Sequence, residues 1–278
     1  MAQNGHPVSD LLFHTILQTE RILLLSQPGY PRFHVMEPDP RFRRLSFYLF
    51  HHSDTLVAIM THTLTADSIQ LEFGMSSILS DIYIQCRTGK ITGLLGRNGQ
   101  GKTCLMRIVY GDLPCSSRSI RFDDTVVSQP YRRPDLVRYL PQFNFIPPSL
   151  TLKRVFTDFN LEFNELENIF PEFRPSWRSR IKDLSGGERR LINIYIIARS
   201  PSRFILLDEP FSHLSPLQIE KIKALLTEEK QNKGILITDH LYQDILDISD
   251  KLYVLSNGGT RPAKGTEDLE TFGYIRAS

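Results

Sequence analysis

The octapeptide Gly96-Arg97-Asn98-Gly99-Gln100-Gly101-Lys102-Thr103 constrains this chain more than any other segment. It fits GxxxxGK[ST], follows the apolar run 91–95, and opens a helical stretch from Lys102 to about Tyr110. The glycines let backbone N–H groups turn inward onto phosphate oxygens, where a side chain would block the approach. The helix N-terminus adds partial positive charge to that nest. Lys102 can then reach β- and γ-phosphates, and Thr103 can offer a hydroxyl to Mg²⁺.

Strand and helix signals alternate around this loop. Residues 68–73 and 78–85 alternate like half-buried strands. Short strand-like runs recur at 119–122, 137–140, 204–207, 235–238 and 252–255. Helical spacing is predicted over 152–159, 187–199 and 218–229. Ser215-Pro216-Leu217-Gln218 reads as an N-cap, a proline at the first helical position and a glutamine at the third. The alternation predicts an α/β domain with a mainly parallel sheet.

The apolar run Phe204-Ile205-Leu206-Leu207 ends in Asp208-Glu209-Pro210. An acid at a buried strand tip is costly unless it meets a cation, so Asp208 suits a metal. Glu209 points to the other side of an extended chain and can face an attacking water. By itself the pair reads equally well as a solvated turn; beside a phosphate loop it completes a nucleotide-hydrolysis site. Leu184-Ser185-Gly186-Gly187-Glu188 opens a predicted helix and forms a second anion nest with no lysine of its own. Two such turns and one lysine make sense if each nucleotide lies between the loop of one copy and the second nest of another.

Over residues 66–258 the sequence resembles an ATP-binding cassette (ABC) ATPase. The octapeptide is similar to Walker A, the five residues from Leu184 to the signature LSGGQ, and the run ending in Asp208 and Glu209 to Walker B. The resemblance implies a P-loop NTPase cassette over 60–278. It would have a mainly parallel RecA-like core sheet, an antiparallel β subdomain and a helical insert at about 143–190. It implies catalytic roles for Glu209, for the switch histidine His240 and for Gln142, the Q-loop glutamine in Tyr139-Leu140-Pro141-Gln142. ATP would contact Phe73 through its adenine, and the segment from Gly96 to Cys104 through its phosphates. Mg²⁺ would sit on Thr103, Gln142 and Asp208. Leu184, Ser185, Gly186, Gly187 and Glu188 would act on the partner's nucleotide.

Three departures stand out against the family pattern. Glu188 replaces the usual glutamine, and only a peripheral contact is expected to change. Cys104 replaces a second hydroxyl, while Thr103 keeps the one needed for Mg²⁺. Ser212-His213-Leu214-Ser215 occupies the D-loop position, and Ser215 cannot supply the usual carboxylate. Weaker coupling between the two sites of a dimer is expected from that change.

Composition removes several classes of function. Thirty-three basic against 31 acidic residues leave a formal charge of +2, which makes no case for nucleic-acid binding through bulk charge, and none is expected. Cys86, Cys104 and Cys115 are too few and too odd for a disulfide framework, which fits a reducing compartment. No run approaches the roughly 18 apolar residues of a membrane span, and the N-terminus lacks a signal-peptide layout. A cytoplasmic protein is expected, peripheral on the inner face of the cell membrane through a partner.

The resemblance accordingly implies an ATP-hydrolysing subunit that dimerises with a second cassette, as a homodimer, and drives separate transmembrane subunits. The helical insert is the expected docking surface, with Phe143, Phe145, Ile146, Phe156, Phe159 and Phe163 as exposed apolar candidates. A soluble mechanoprotein fits less well, because the chain has one cassette and no heptads between the Walker motifs. A weakly hydrolysing regulator fits less well because Glu209 and His240 are both present. Residues 1–59 hold five of the eight histidines and no lysine. They read as a loosely ordered, dispensable extension with one helix at 11–25, and Met60 reads as a natural start of the cassette. The short tail after His240 is expected to hold no regulatory domain.

Overall fold

The structure is a computed structural model and describes residues 61–274. The extension 1–59, its expected helix at 11–25 and Met60 lie outside the described residues.

The chain begins with β1 (Thr63–Phe73), β2 (Ser76–Leu79), β3 (Tyr83–Arg87) and β4 (Ile91–Leu95), then α1 (Lys102–Tyr110). β5 (Ser117–Phe122), β6 (Thr125–Val126) and β7 (Val137–Leu140) follow, then α2 (Leu152–Asp158), α3 (Phe163–Ile169) and α4 (Gly186–Arg199). The last third holds β8 (Phe204–Asp208), α5 (Pro216–Glu229), β9 (Gly234–Thr238), α6 (Tyr242–Ile248), β10 (Lys251–Ser256), β11 (Gly259–Ala263) and α7 (Thr266–Thr271).

Two sheets form. The larger has the order β11-β10-β4-β9-β8-β7, parallel except for the edge strand β11. Strands β4, β7, β8 and β9 are buried at every position, which is why β4, β8 and β9 read as mostly apolar runs rather than alternating ones. The smaller sheet is antiparallel, ordered β2-β1-β5-β6 with β3 paired to β1. One core lies on each side of the large sheet: α1 and the antiparallel sheet cover one side, and the helical region with α4 and α5 covers the other. The mainly parallel core, antiparallel sheet and helical insert are those the sequence led us to expect.

Local chemistry accounts for the helix starts. Ser185 caps α4 and Ser215 caps α5, each in a reciprocal capping box with the third helical residue, and Pro216 fills the first helical position of α5.

Two strands differ from expectation. The stretch 78–85 is not continuous: Ser80 and Asp81 are both exposed, so the period-2 burial slips, and the backbone there turns to bond Gly258. β1 starts earlier than residue 68, and its pairing with β5 shifts between Asp67 and Gln70, where Ser68 adopts φ 54°. This is a bulge that re-aims the rest of the strand.

The insert also corrects the docking candidates. Phe145, Ile146, Phe156, Phe159 and Phe163 are buried, and only Phe143 is exposed, at 46%. Helices as short as α2 and α3 cannot stand alone. Their aromatic rings build a core of their own, with Phe156 5.1 Å from Phe163, 5.8 Å from Tyr195 on α4, and Phe163 4.6 Å from Trp177.

Candidate nucleotide site

Strand β4 ends at Leu95, the glycine-rich loop turns, and α1 begins at Lys102. Gly99 and Gly101 sit at φ 81° and 97°, where side chains are strained. Gly96 has no room for one, since a Cβ would lie 2.9 Å from the Leu255 carbonyl oxygen. Lys102 is nearly buried, and its Nζ donates to the Gly96 carbonyl at 2.6 Å and to that of Arg97 at 3.4 Å. Burial lowers its pKa, opposed by the charges of Glu209, Asp208 and Asp239. The loop is braced from the C-terminal side, where Arg97 donates to the Gly273 carbonyl and Gln100 accepts the Asn257 N–H at 3.2 Å.

At the tip of β8, Asp208 is fully buried. Its Oδ1 accepts from the Thr103 hydroxyl and from Gln142 Nε2, both at 3.3 Å, and its Oδ2 accepts from the Tyr139 hydroxyl at 3.0 Å. Gln142 Nε2 also lies 2.8 Å from Thr103 Oγ1. Burial raises the Asp208 pKa, and the three hydrogen bonds work against that rise. Glu209 adopts φ 49°, a left-handed conformation rare for a residue with a side chain and often found at functional sites. Asp239 is fully buried, accepts the N–H groups of Phe211 and Leu241, and lies 3.2 Å from His240 Nδ1, while the imidazole stays half exposed.

A cleft of about 670 Å³ gathers these pieces. Phe73 and Ile78 line it from the antiparallel sheet, and Asn98, Gly99, Gly101, Lys102, Thr103 and Cys104 from the loop and α1. Gln142, Glu209 and His240 close it from the tips of the central strands. Phe73 is 55% exposed, so its ring is free to stack on a planar ligand. Burial raises the Cys104 pKa, which keeps it a thiol.

The signature turn lies elsewhere. None of its five residues lines this cleft. Ser185 and Gly186 are exposed, and a Cβ on Gly186 would meet nothing within 4 Å. Glu188 closes the capping box of α4: its Oε2 accepts the Ser185 N–H at 2.7 Å, and its own N–H donates to the Ser185 hydroxyl at 3.2 Å. Ser215 likewise spends its hydroxyl on capping α5, where Gln218 answers it.

The oxygen donors fit Mg²⁺. Thr103 Oγ1 and Asp208 Oδ1 converge with the Gln142 amide, and a half-turn of that amide presents its oxygen in place of its nitrogen. Among the described residues no three His, Cys, Asp or Glu side chains gather for a metal. One carboxylate plus a hydroxyl and substrate phosphates is the usual Mg²⁺ arrangement.

Sequence reasoning missed three residues that organise this site. Tyr139 reaches Asp208 only through the β7–β8 pairing. Asp239 holds the loop after Glu209 through Phe211. Arg190 is a buried guanidinium that donates to the carbonyls of Pro141, Gln142, Asp208, Glu209 and Pro210. Burial pulls its pKa down to about 10, against the pull of Asp208 and Asp239. An arginine just ahead of the apolar run Leu191-Ile192 was the available signal.

Comparison with known proteins agrees with this geometry. The family described as ABC transporter matches residues 79–212. A probable ABC transporter ATP-binding protein of Azorhizobium caulinodans is 31% identical over 210 residues, covering 70% of this chain and 75% of that protein. The lipopolysaccharide export system ATP-binding protein LptB of Escherichia coli is 30% identical over 211 residues, covering 70% of this chain and 88% of that protein. A solved ATP-binding subunit of an ABC transporter superposes with TM-score 0.64 at 23% identity, covering 77% of this chain and 95% of its own, a likeness of fold.

Proposed function

The chain belongs to the ABC transporter family as an ATP-binding ATPase, and from that premise we propose that two copies close head to tail around two ATP and drive a separate membrane subunit. The observation that carries this reading is one of placement. A single cleft is lined by Lys102, Thr103, Gln142, Glu209 and His240, while the exposed Ser185 turn lies outside it. No helix among the described residues is long and apolar enough to cross a membrane.

In this reading Lys102 exchanges the carbonyls of Gly96 and Arg97 for phosphate oxygens, and Phe73 stacks on the adenine. Thr103, Asp208 and Gln142 would hold Mg²⁺, which would supply charge neutralisation at the β- and γ-phosphates. Water attacks the γ-phosphorus while the bond to the β–γ bridging oxygen breaks, leaving ADP and phosphate. Glu209 orients that water and takes its proton, and its left-handed backbone sets the carboxylate beside the cleft. His240, fastened through Nδ1 to Asp239, keeps Nε2 for the γ-phosphate side. The first N–H groups of α4, at Gly186 and Gly187 beside the Ser185 cap, are offered to the partner's γ-phosphate.

Glu209→Gln tests the proposal. It is expected to bind ATP normally, to lose turnover by about a hundredfold or more, and to elute as an ATP-dependent dimer in size-exclusion chromatography with Mg²⁺. Unchanged hydrolysis and no dimer would overturn it.

A further inference from the structure

Asp208 has two carboxylate oxygens, and the structure treats them differently. Oδ1 faces the Thr103 hydroxyl and the Gln142 amide, whereas Oδ2 takes the Tyr139 hydroxyl at 3.0 Å. We propose that Tyr139 is a positioning residue for the metal half of the site, holding Oδ2 so that Oδ1 stays aimed at Thr103 and Gln142. The proposal rests on the nucleotide and Mg²⁺ reading above and adds a residue to it.

The geometry follows from the sheet. Tyr139 on β7 pairs with Leu206 on β8, and paired residues of neighbouring strands share a face. Asp208 lies two residues beyond Leu206, so it returns to that same face within reach of the phenol. The Tyr139 ring is buried and packs against Tyr110, with centroids 5.3 Å apart. Tyr110 is the last residue of α1, and Thr103 stands in the first turn of the same helix. One helix therefore backs the phenol with its last residue and meets Oδ1 with its first turn.

A buried phenol can donate only one proton, and an ionised carboxylate only accepts. The bond thus has a fixed sense, from the phenol to Oδ2. The carboxylate torsion is broad and nearly two-fold. Without a donor on Oδ2, the Asp208 carboxylate is free to turn away from the direction Thr103 and Gln142 require. Outer partners that orient a ligand typically change metal affinity by about tenfold or more.

The test is the metal-dependent part of nucleotide affinity, measured by calorimetry on the full chain with a non-hydrolysable ATP analogue. The ratio of Kd with a chelator to Kd with Mg²⁺ is compared in wild type, Tyr139→Phe and Asp208→Asn. Tyr139→Phe is expected to lower that ratio by roughly tenfold while its chelator Kd stays that of wild type. Mn²⁺ titrated into the analogue complex and followed by electron paramagnetic resonance should show the same weakening. A wild-type ratio in Tyr139→Phe with a lost ratio in Asp208→Asn overturns the tyrosine's role alone. A wild-type ratio in both overturns the metal assignment and the tyrosine's role with it. Equal weakening with and without metal in Tyr139→Phe marks a merely structural tyrosine and also overturns the proposal.

Discussion

Nη2 of Arg190 donates to the main-chain carbonyl of Glu209 at 2.8 Å, and so fixes from behind the one strained acidic residue of the cleft. Glu209's own N–H donates to the Thr238 carbonyl at 2.8 Å, so the left-handed residue is held on both sides. The same guanidinium also gathers the Gln142 and Asp208 carbonyls, and it sits on α4, the helix whose first turn is the signature. The helix that begins at the Ser185 turn and the main chain of Gln142, Asp208 and Glu209 are thereby parts of one hydrogen-bonded unit.

Arg190→Met is expected to destabilise the fold by about 3 kcal/mol or more, because it leaves several buried carbonyls without donors. Arg190→Lys should fall between, since an ammonium has three donors and no planar fork. Urea unfolding measures both, and a loss below about 1 kcal/mol for the Met variant would show that the clamp is dispensable.

Asp208→Asn is expected to stabilise the fold while destroying function. Burial raises the folded-state pKa of Asp208 above 3.8, so the folded protein holds this proton longer than the unfolded chain does. The wild type therefore loses stability as pH climbs from 3.8 through the raised value, and above it the deficit is constant. Asparagine carries no such deficit. The variant should melt higher near neutral pH than the wild type. The gap should close as pH falls toward 3.8. Thermal melts of both proteins across pH decide it, and a variant less stable at neutral pH contradicts the assigned cause.

Lys102→Ala should weaken ATP binding by about tenfold to a hundredfold, the worth of a charge-assisted contact with phosphate. The fold should survive, because the lost ammonium is itself penalised by burial. Equilibrium nucleotide binding and a thermal melt of the same sample separate the two effects.

Ser185→Arg places a cation in the exposed turn. In the Glu209→Gln background it should abolish the ATP-dependent dimer and leave monomeric ATP affinity unchanged. Ser185 also caps α4 through the Glu188 N–H, so Ser185→Ala is the control. That variant should lose about 1 kcal/mol of stability and keep the dimer. Loss of ATP affinity by the monomer would place the turn in its own chain's site.

Much of this architecture was legible because it is local. A glycine loop between a buried strand and a helix, a serine answered three residues on by Glu188 or Gln218, and runs of apolar residues at β4, β8 and β9 each state their structure within a few residues. Residues 1–59, with the helix expected at 11–25, lie outside the described residues. The insert's aromatic residues could not be sorted by local pattern. Phe156 is buried against Tyr195 and Trp177, which are distant in sequence.

By itself the sequence determined the phosphate loop, the two capped helices, the α/β class and the membership that follows from its motifs. These rest on backbone freedom, capping and hydrophobic periodicity, which act between near neighbours. Only the tertiary structure decided that Tyr139 meets Asp208 across 69 residues, that Arg190 reaches five carbonyls on two other segments, and that the Ser185 turn lies outside the cleft. Those contacts are set by the β7–β8 register and the packing of α4 on the sheet, and register is a property of paired strands that neither strand carries alone.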